Sequence, residues 1–108
     1  MSLLTSVRRI YAYNAPVDMR KGFVGLESLV RSRLERDPLT GDVYVFVSRS
    51  GKHLKCLLWD RTGYVILFKK LERGKFQFHG QAQRLELDEQ RLGLLLDGIQ
   101  VAGVPTPG

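Results

Sequence analysis

The sequence predicts an α+β domain: an antiparallel β-meander of about four to five strands with two helices packed on one face. Three observations carry this reading. Between Val43 and Phe78, three apolar runs rich in β-branched and aromatic residues are cut by Ser50-Gly51-Lys52 and Arg61-Thr62-Gly63. Runs of that composition separated by a few residues containing Gly read as consecutive hairpins. Met19, Phe23, Leu26, Val30 and Leu34 recur at steps of three and four, as do Leu92, Leu95, Leu96 and Ile99, and each set marks one face of a helix.

In chain order, residues 7–13 (Val-Arg-Arg-Ile-Tyr-Ala-Tyr) carry enough β-formers for a first strand, placed at a sheet edge by Arg8 and Arg9. Asn14-Ala-Pro16 ends it, and Asp18 is the expected N-cap of the first helix. Gly22 and Gly25 weaken that helix locally and let it lie close to the sheet. Asp37-Pro38 stops it, because the residue before proline disfavours helical geometry. Residues 75–78 prolong the third meander strand or begin a short one, and Arg84-Leu85-Glu86-Leu87 alternates like a brief strand. The second helix starts at Asp88, with acids suited to its N-terminus. Residues 1–102 thus read as a single domain, and the Pro- and Gly-rich 103–108 as a flexible tail. With both helices on one face, the sheet's other face is expected to meet water or a partner.

A chain of 108 residues is long enough for one real core, and 44% apolar with 26% charged residues argues against disorder. No run approaches a membrane span, and the N-terminus does not read as a signal peptide. The single Cys56 sits in an apolar run, where an inert buried thiol is expected. These features suit a reducing, cytoplasmic setting with no membrane partner.

Charge is the second theme. Residues 43–84 hold nine bases and two acids, a net +7, while the rest of the chain nets −1. The basic residues Arg49, Lys52, Lys55, Lys69, Lys70, Arg73 and Lys75 therefore point to a polyanion, held through phosphates and without sequence readout. In the third meander strand, Val65, Leu67, Lys69 and Leu71 share one face, and Tyr64, Ile66, Phe68 and Lys70 share the other. The charges gather at the strand's far end on both faces, favouring a rim contact over a flat stacking platform.

Catalytic alternatives are weaker. Asp18, Asp60 and Glu72 as a metal-binding triad compete with simpler roles as cap, turn residue and surface pair. His53 and His79 have no Cys or His at zinc-ligand spacing. Cys56 among leucines should be a poor nucleophile. Phosphate-binding glycine motifs are absent. The reading is a non-enzyme with no cofactor and no metal.

Three strings carry a family resemblance. Val17-Asp-Met-Arg-Lys-Gly-Phe-Val-Gly-Leu26, Leu58-Trp-Asp-Arg-Thr-Gly-Tyr64 and Lys69-Lys-Leu-Glu-Arg-Gly-Lys-Phe76 resemble segments of the TnpB accessory proteins of the insertion-sequence-sixty-six group. Arg36-Asp-Pro38 and Leu94-Leu-Leu-Asp-Gly-Ile99 fit the same family, so the resemblance spans residues 7–99. The chain departs from the family at Val24, Leu58 and Phe78-His-Gly80. The resemblance implies an accessory role in transposition beside a larger transposase that carries the strand-cutting acids. It also supplies the polyanion, DNA in double-stranded form, and adds Arg20 and Lys21 to the phosphate-contact set. The competing expectation is an adaptor that docks on the transposase through Trp59, Phe76 and Phe78. A homo-oligomer formed through an edge strand is compatible with either.

Overall fold

A computed structural model describes residues 9–105. The chain runs from β1 (Ile10–Tyr13) to α1 (Phe23–Ser32), and a 3-10 turn at Pro38–Thr40 leads into β2 (Val43–Val47). β3 (His53–Trp59) and β4 (Tyr64–Lys70) complete the expected meander. There follow β5 (Phe78–His79), β6 (Arg84–Leu87), α2 (Glu89–Leu96), β7 (Val101–Ala102) and β8 (Val104–Pro105). Six strands form one sheet in the order β4-β3-β2-β1-β6-β8, and β5 pairs with β7 separately. The α+β class holds, but the strand number exceeds the expectation, because two-residue strands carry no readable alternation.

Several placements differ from the sequence reading. β1 is not an edge strand; it lies between β2, to which it is parallel, and the antiparallel β6. A parallel neighbour requires a crossover, and α1 supplies it. Val7 and Arg8, also assigned to that strand, lie outside the described residues.

The helices cover opposite faces of the sheet, not one face. Leu26, Val30 and Leu34 pack with Tyr11, Tyr13, Tyr44, Phe46 and Leu57 on one side. Leu92 and Leu95 pack with Ile10, Val43, Val45, Leu54, Cys56 and Leu85 on the other. The physical reason lies in β2, whose five residues Val-Tyr-Val-Phe-Val are all buried. A strand apolar on both faces needs cover on both. The free face expected for a partner therefore does not exist at the sheet's centre.

Asp18 does not cap α1, which begins after Gly22 with no side-chain cap. Instead its Oδ1 accepts the Arg20 backbone N–H at 2.9 Å and its carbonyl accepts Lys21 N–H at 3.1 Å, closing a turn ahead of the helix. Asp88 does cap α2, accepting from Arg91 N–H at 2.7 Å. Within the expected C-terminal tail, residues 103–105 are held in place. Val104 and Pro105 pair with β6, and Gly103 N–H donates to His79 O at 2.8 Å. Residues 106–108 lie outside the described residues.

Candidate nucleic-acid interface

The topology brings the ends of three loops together at one end of the sheet. β2 leaves the sheet at Val47, β3 enters at His53 and β4 leaves at Lys70. Val17 N–H donates to Val47 O at 3.0 Å, which brings the β1–α1 loop to the same end. Beyond β4, Leu71 N–H donates to Lys52 O at 2.9 Å and Phe76 N–H to Gly51 O at 2.7 Å. The segment 71–76 is thereby pinned against the β2–β3 turn. Gly51 permits this: its φ is +76°, and a Cβ there would sit 3.0 Å from the Lys75 Cβ.

The result is a rim carrying Arg20, Lys21, Arg49, Lys52, Lys69, Lys70, Arg73 and Lys75. Their local states differ. Arg20 is forked onto the Asp18 carboxylate, at 2.7 Å to Oδ2, and both groups face solvent. The Arg20 guanidinium and backbone N–H hold the Asp18 carboxyl well below its usual range, at about 2. Lys52 Nζ donates to Gly74 O at 2.9 Å and Lys69 Nζ to Leu96 O at 2.7 Å, so Lys69 also sits at the C-terminal end of α2. Lys21, Arg49, Lys70, Arg73 and Lys75 are exposed and form no side-chain hydrogen bond or ion pair among the described residues.

Two expected contacts are not surface groups. Lys55, in mid-β3, is only 9% exposed. Its ammonium donates at 2.8 Å to both Met19 O and Lys21 O and lies 4.9 Å from the centroid of the Phe68 ring. It is a strut that holds the β1–α1 loop to the sheet, and its charge is taken up there. Phe76 is 2% exposed and belongs to the core, so it offers nothing to a partner. Its neighbour Phe78 is half-buried against that core. Trp59 stands at the opposite end of the sheet, edge-on to Tyr64 with ring centroids 5.1 Å apart. The three aromatics do not form one docking patch.

The apolar surface near the rim comes from residues the sequence placed in the core or left unassigned. Phe23 is 50% exposed, Phe68 57% and Val24 82%. The parity of β4, which puts Phe68 on the same face as Lys70, could have located Phe68. Nothing in the spacing sets Phe23 apart from the buried Leu26 and Val30.

Elsewhere the chemistry is structural. The far end of the sheet carries buried Asp42, which accepts from Arg9 N–H at 3.1 Å, Thr40 Oγ1 at 2.9 Å and Arg36 at 3.3 Å. Arg36 in turn covers the Tyr11 ring, 4.7 Å from its centroid. Tyr64 donates to the Glu27 carboxylate, tying β4 to α1, and burial followed by that acid pushes its phenol up to about 12. Asp60 accepts from Thr62 in the β3–β4 turn, away from Asp18 and Glu72. Among the described residues, no three His, Cys, Asp or Glu side chains gather into a metal site. A concavity of about 410 Å³ lies away from the rim and is lined by both signs of charge, including Arg9, Glu86, Asp88 and Arg91.

Fold and rim together define a small α+β protein with a cationic end built from loops on a rigid sheet. The chain belongs to the IS66 Orf2-like family, whose model matches residues 8–105. It is therefore a transposition-associated accessory protein. It is 38% identical to the uncharacterized protein y4jC of Sinorhizobium fredii, over 84% of this chain and 79% of that relative. A second protein of that organism, the uncharacterized y4hO, is 34% identical over 84% of this chain and 80% of its own length. No solved structure gives a significant match. No helix among the described residues is long and apolar enough to cross a membrane.

Proposed function

We propose that the protein is a non-catalytic accessory factor of transposition that holds double-stranded DNA by its phosphates along the rim. The observation that carries this is the convergence of Arg49, Lys52, Lys70, Arg73 and Lys75 from separate loops onto one sheet end. Solubility alone would intersperse acids with these bases. The acids near these bases are few: Asp18 is spent on Arg20, and Glu72 and Asp97, the latter beside the Leu96 carbonyl that Lys69 bonds, are outnumbered. Exposed loop cations on a fixed scaffold suit backbone contacts, which position a protein on DNA without reading sequence.

The test is fluorescence anisotropy on a short labelled duplex across a salt series, comparing an element-end sequence with a scrambled one. Similar, salt-steep binding to both is expected. A flat salt response, or no binding at low salt, overturns the reading.

A second reading is an adaptor that docks on the transposase. The exposed Phe23, Val24 and Phe68 favour it, since they sit beside the rim and not in the core. It predicts that Phe23→Ser with Val24→Ser abolishes co-purification with the transposase while leaving duplex binding intact.

A further inference from the structure

We infer that the free edge of β4 pairs antiparallel with β4 of a second copy, about a twofold axis at Leu67. β4 is seven residues long and stands at the outer end of the six-stranded sheet. Such an edge presents unpaired N–H and C=O groups to any strand that fits it. Val65-Ile-Leu-Phe68 is an unbroken apolar run with no proline, and Leu67 and Phe68 are 40% and 57% exposed.

The ladder shows which groups are free. Leu71 N–H bonds Lys52 O, and Asp60 N–H bonds Gly63 O. Every second residue between them, Val65, Leu67 and Lys69, therefore turns its backbone groups toward β3. Tyr64, Ile66, Phe68 and Lys70 turn theirs outward. Antiparallel self-pairing about Leu67 sets Ile66 opposite Phe68 of the second copy and Tyr64 opposite its Lys70. All four outward residues then pair fully.

Charge selects this register over its neighbours. Lys69 falls opposite Val65 and Lys70 opposite Tyr64, so neither lysine meets a like charge. The two copies of Lys69 stand four residues apart and the two of Lys70 six, about 14 Å and 20 Å at the usual rise of a strand. Both separations exceed the screening length of roughly 8–10 Å. Centring on Phe68 would halve the Lys69 separation and leave Tyr64 unpaired. Centring on Ile66 would leave Lys70 unpaired.

The apolar surroundings fit the same partner. Leu67 lines a groove of about 240 Å³ between β4 and α2, with Leu54, Cys56, Leu92 and Leu96. A second β4 brings another Leu67 to its mouth. The sheet's opposite edge, β8, has two residues and ends in Pro105, which lacks an N–H. Head-to-tail growth from β4 to β8 is thus disfavoured, and the assembly closes as a dimer.

The experiment is sedimentation of the full chain over a concentration series, with variants at Leu67. The wild type is expected to reach twice the 12.3 kDa chain mass. Leu67→Lys and Leu67→Glu should each sediment as monomers, and mixing them should restore a dimer, which also shows that both variants fold. Leu67→Cys should form a disulfide-linked dimer on mild oxidation, because residues facing each other at a non-hydrogen-bonded position lie about 4.5 Å apart at Cα. The buried Cys56 should leave the wild type uncrosslinked. A wild type that stays monomeric at its highest soluble concentration overturns the proposal and leaves the edge to another protein's strand. A dimer that survives Leu67→Lys, or a Leu67→Cys protein that does not crosslink, overturns it equally.

Discussion

The rim makes a quantitative prediction for Lys70→Ala combined with Arg73→Ala. Among the described residues, five rim cations (Lys21, Arg49, Lys70, Arg73 and Lys75) have no side-chain hydrogen bond or ion pair to give up, whereas Arg20, Lys52 and Lys69 already donate within the protein. If those five meet phosphates, log affinity falls against log salt with a slope of about −4.5, at roughly 0.9 per phosphate on duplex DNA. Between 50 and 200 mM salt, affinity then drops about 500-fold. Removing two contacts should bring the slope to about −2.7 and the drop to about 40-fold. Both side chains are exposed and neither packs into a core cluster, so the fold should be unaffected. The assay is anisotropy on one labelled duplex at four or five salt concentrations, with circular dichroism to verify folding. A double variant that binds more weakly at every salt but keeps the parent slope would refute the phosphate assignment. An unchanged variant would remove these residues from the interface.

Three further outcomes follow from the same geometry. Lys55→Met removes both ammonium bonds to the 19–21 loop and should cost about 2 kcal/mol, the usual penalty for part-buried acceptors left without their donor. In a domain of this size a thermal melt would read that as a fall of roughly 10 °C. Asp18→Asn releases Arg20 and should tighten DNA binding, steepening the salt slope by about 0.9. Because the folded Asp18 carboxyl is lowered to about 2 from 3.8, its contribution to stability is complete above the ordinary value and is lost as pH falls toward 2. Denaturant melts at pH 5 and near pH 2 should therefore differ more for the wild type than for Asp18→Asn. Gly103→Ala would place a Cβ 2.7 Å from the Leu85 Cβ and should destabilise the fold by about 1–3 kcal/mol in urea titration, which a free tail would not do.

The meander, both helices and the basic bias were legible because each rests on a local pattern. Period-two and period-three-to-four spacing report one element at a time, and Asp88 capping α2 needs only its own turn. What the sequence left hidden depends on partners distant in the chain. The parallel β1–β2 pair and the opposite placement of the helices follow from burial on both faces of β2, and the signal was present in Val-Tyr-Val-Phe-Val as an unbroken apolar run. The basic residues are legible in the sequence as a set, whereas the burial of Lys55 is not. Its strand parity gives it the same face as His53 and Leu57, under the loop that leads to α1, and no count of charges reveals that a carbonyl pair waits there. Phe76 failed for the same reason: composition marks an aromatic, and only the return of 71–76 onto Gly51 buries it.

The two proposals constrain each other through the direction of β4. The rim lies where β4 ends, and antiparallel pairing about Leu67 turns the second copy end for end. A dimer of this kind carries its two rims at opposite ends of one continuous sheet, facing away from each other. It cannot close both rims around a single short duplex; if the rim binds DNA as proposed, each end takes its own duplex. Such an arrangement suits a factor that brings separate DNA segments together, and it makes the two ideas separable. Leu67 stands at the strand's centre, on the face opposite Lys70, so a monomeric Leu67→Lys protein should keep its salt-steep binding to one duplex while losing the capacity to bridge two. The rim is then a property of the single chain, and bridging a property of the edge.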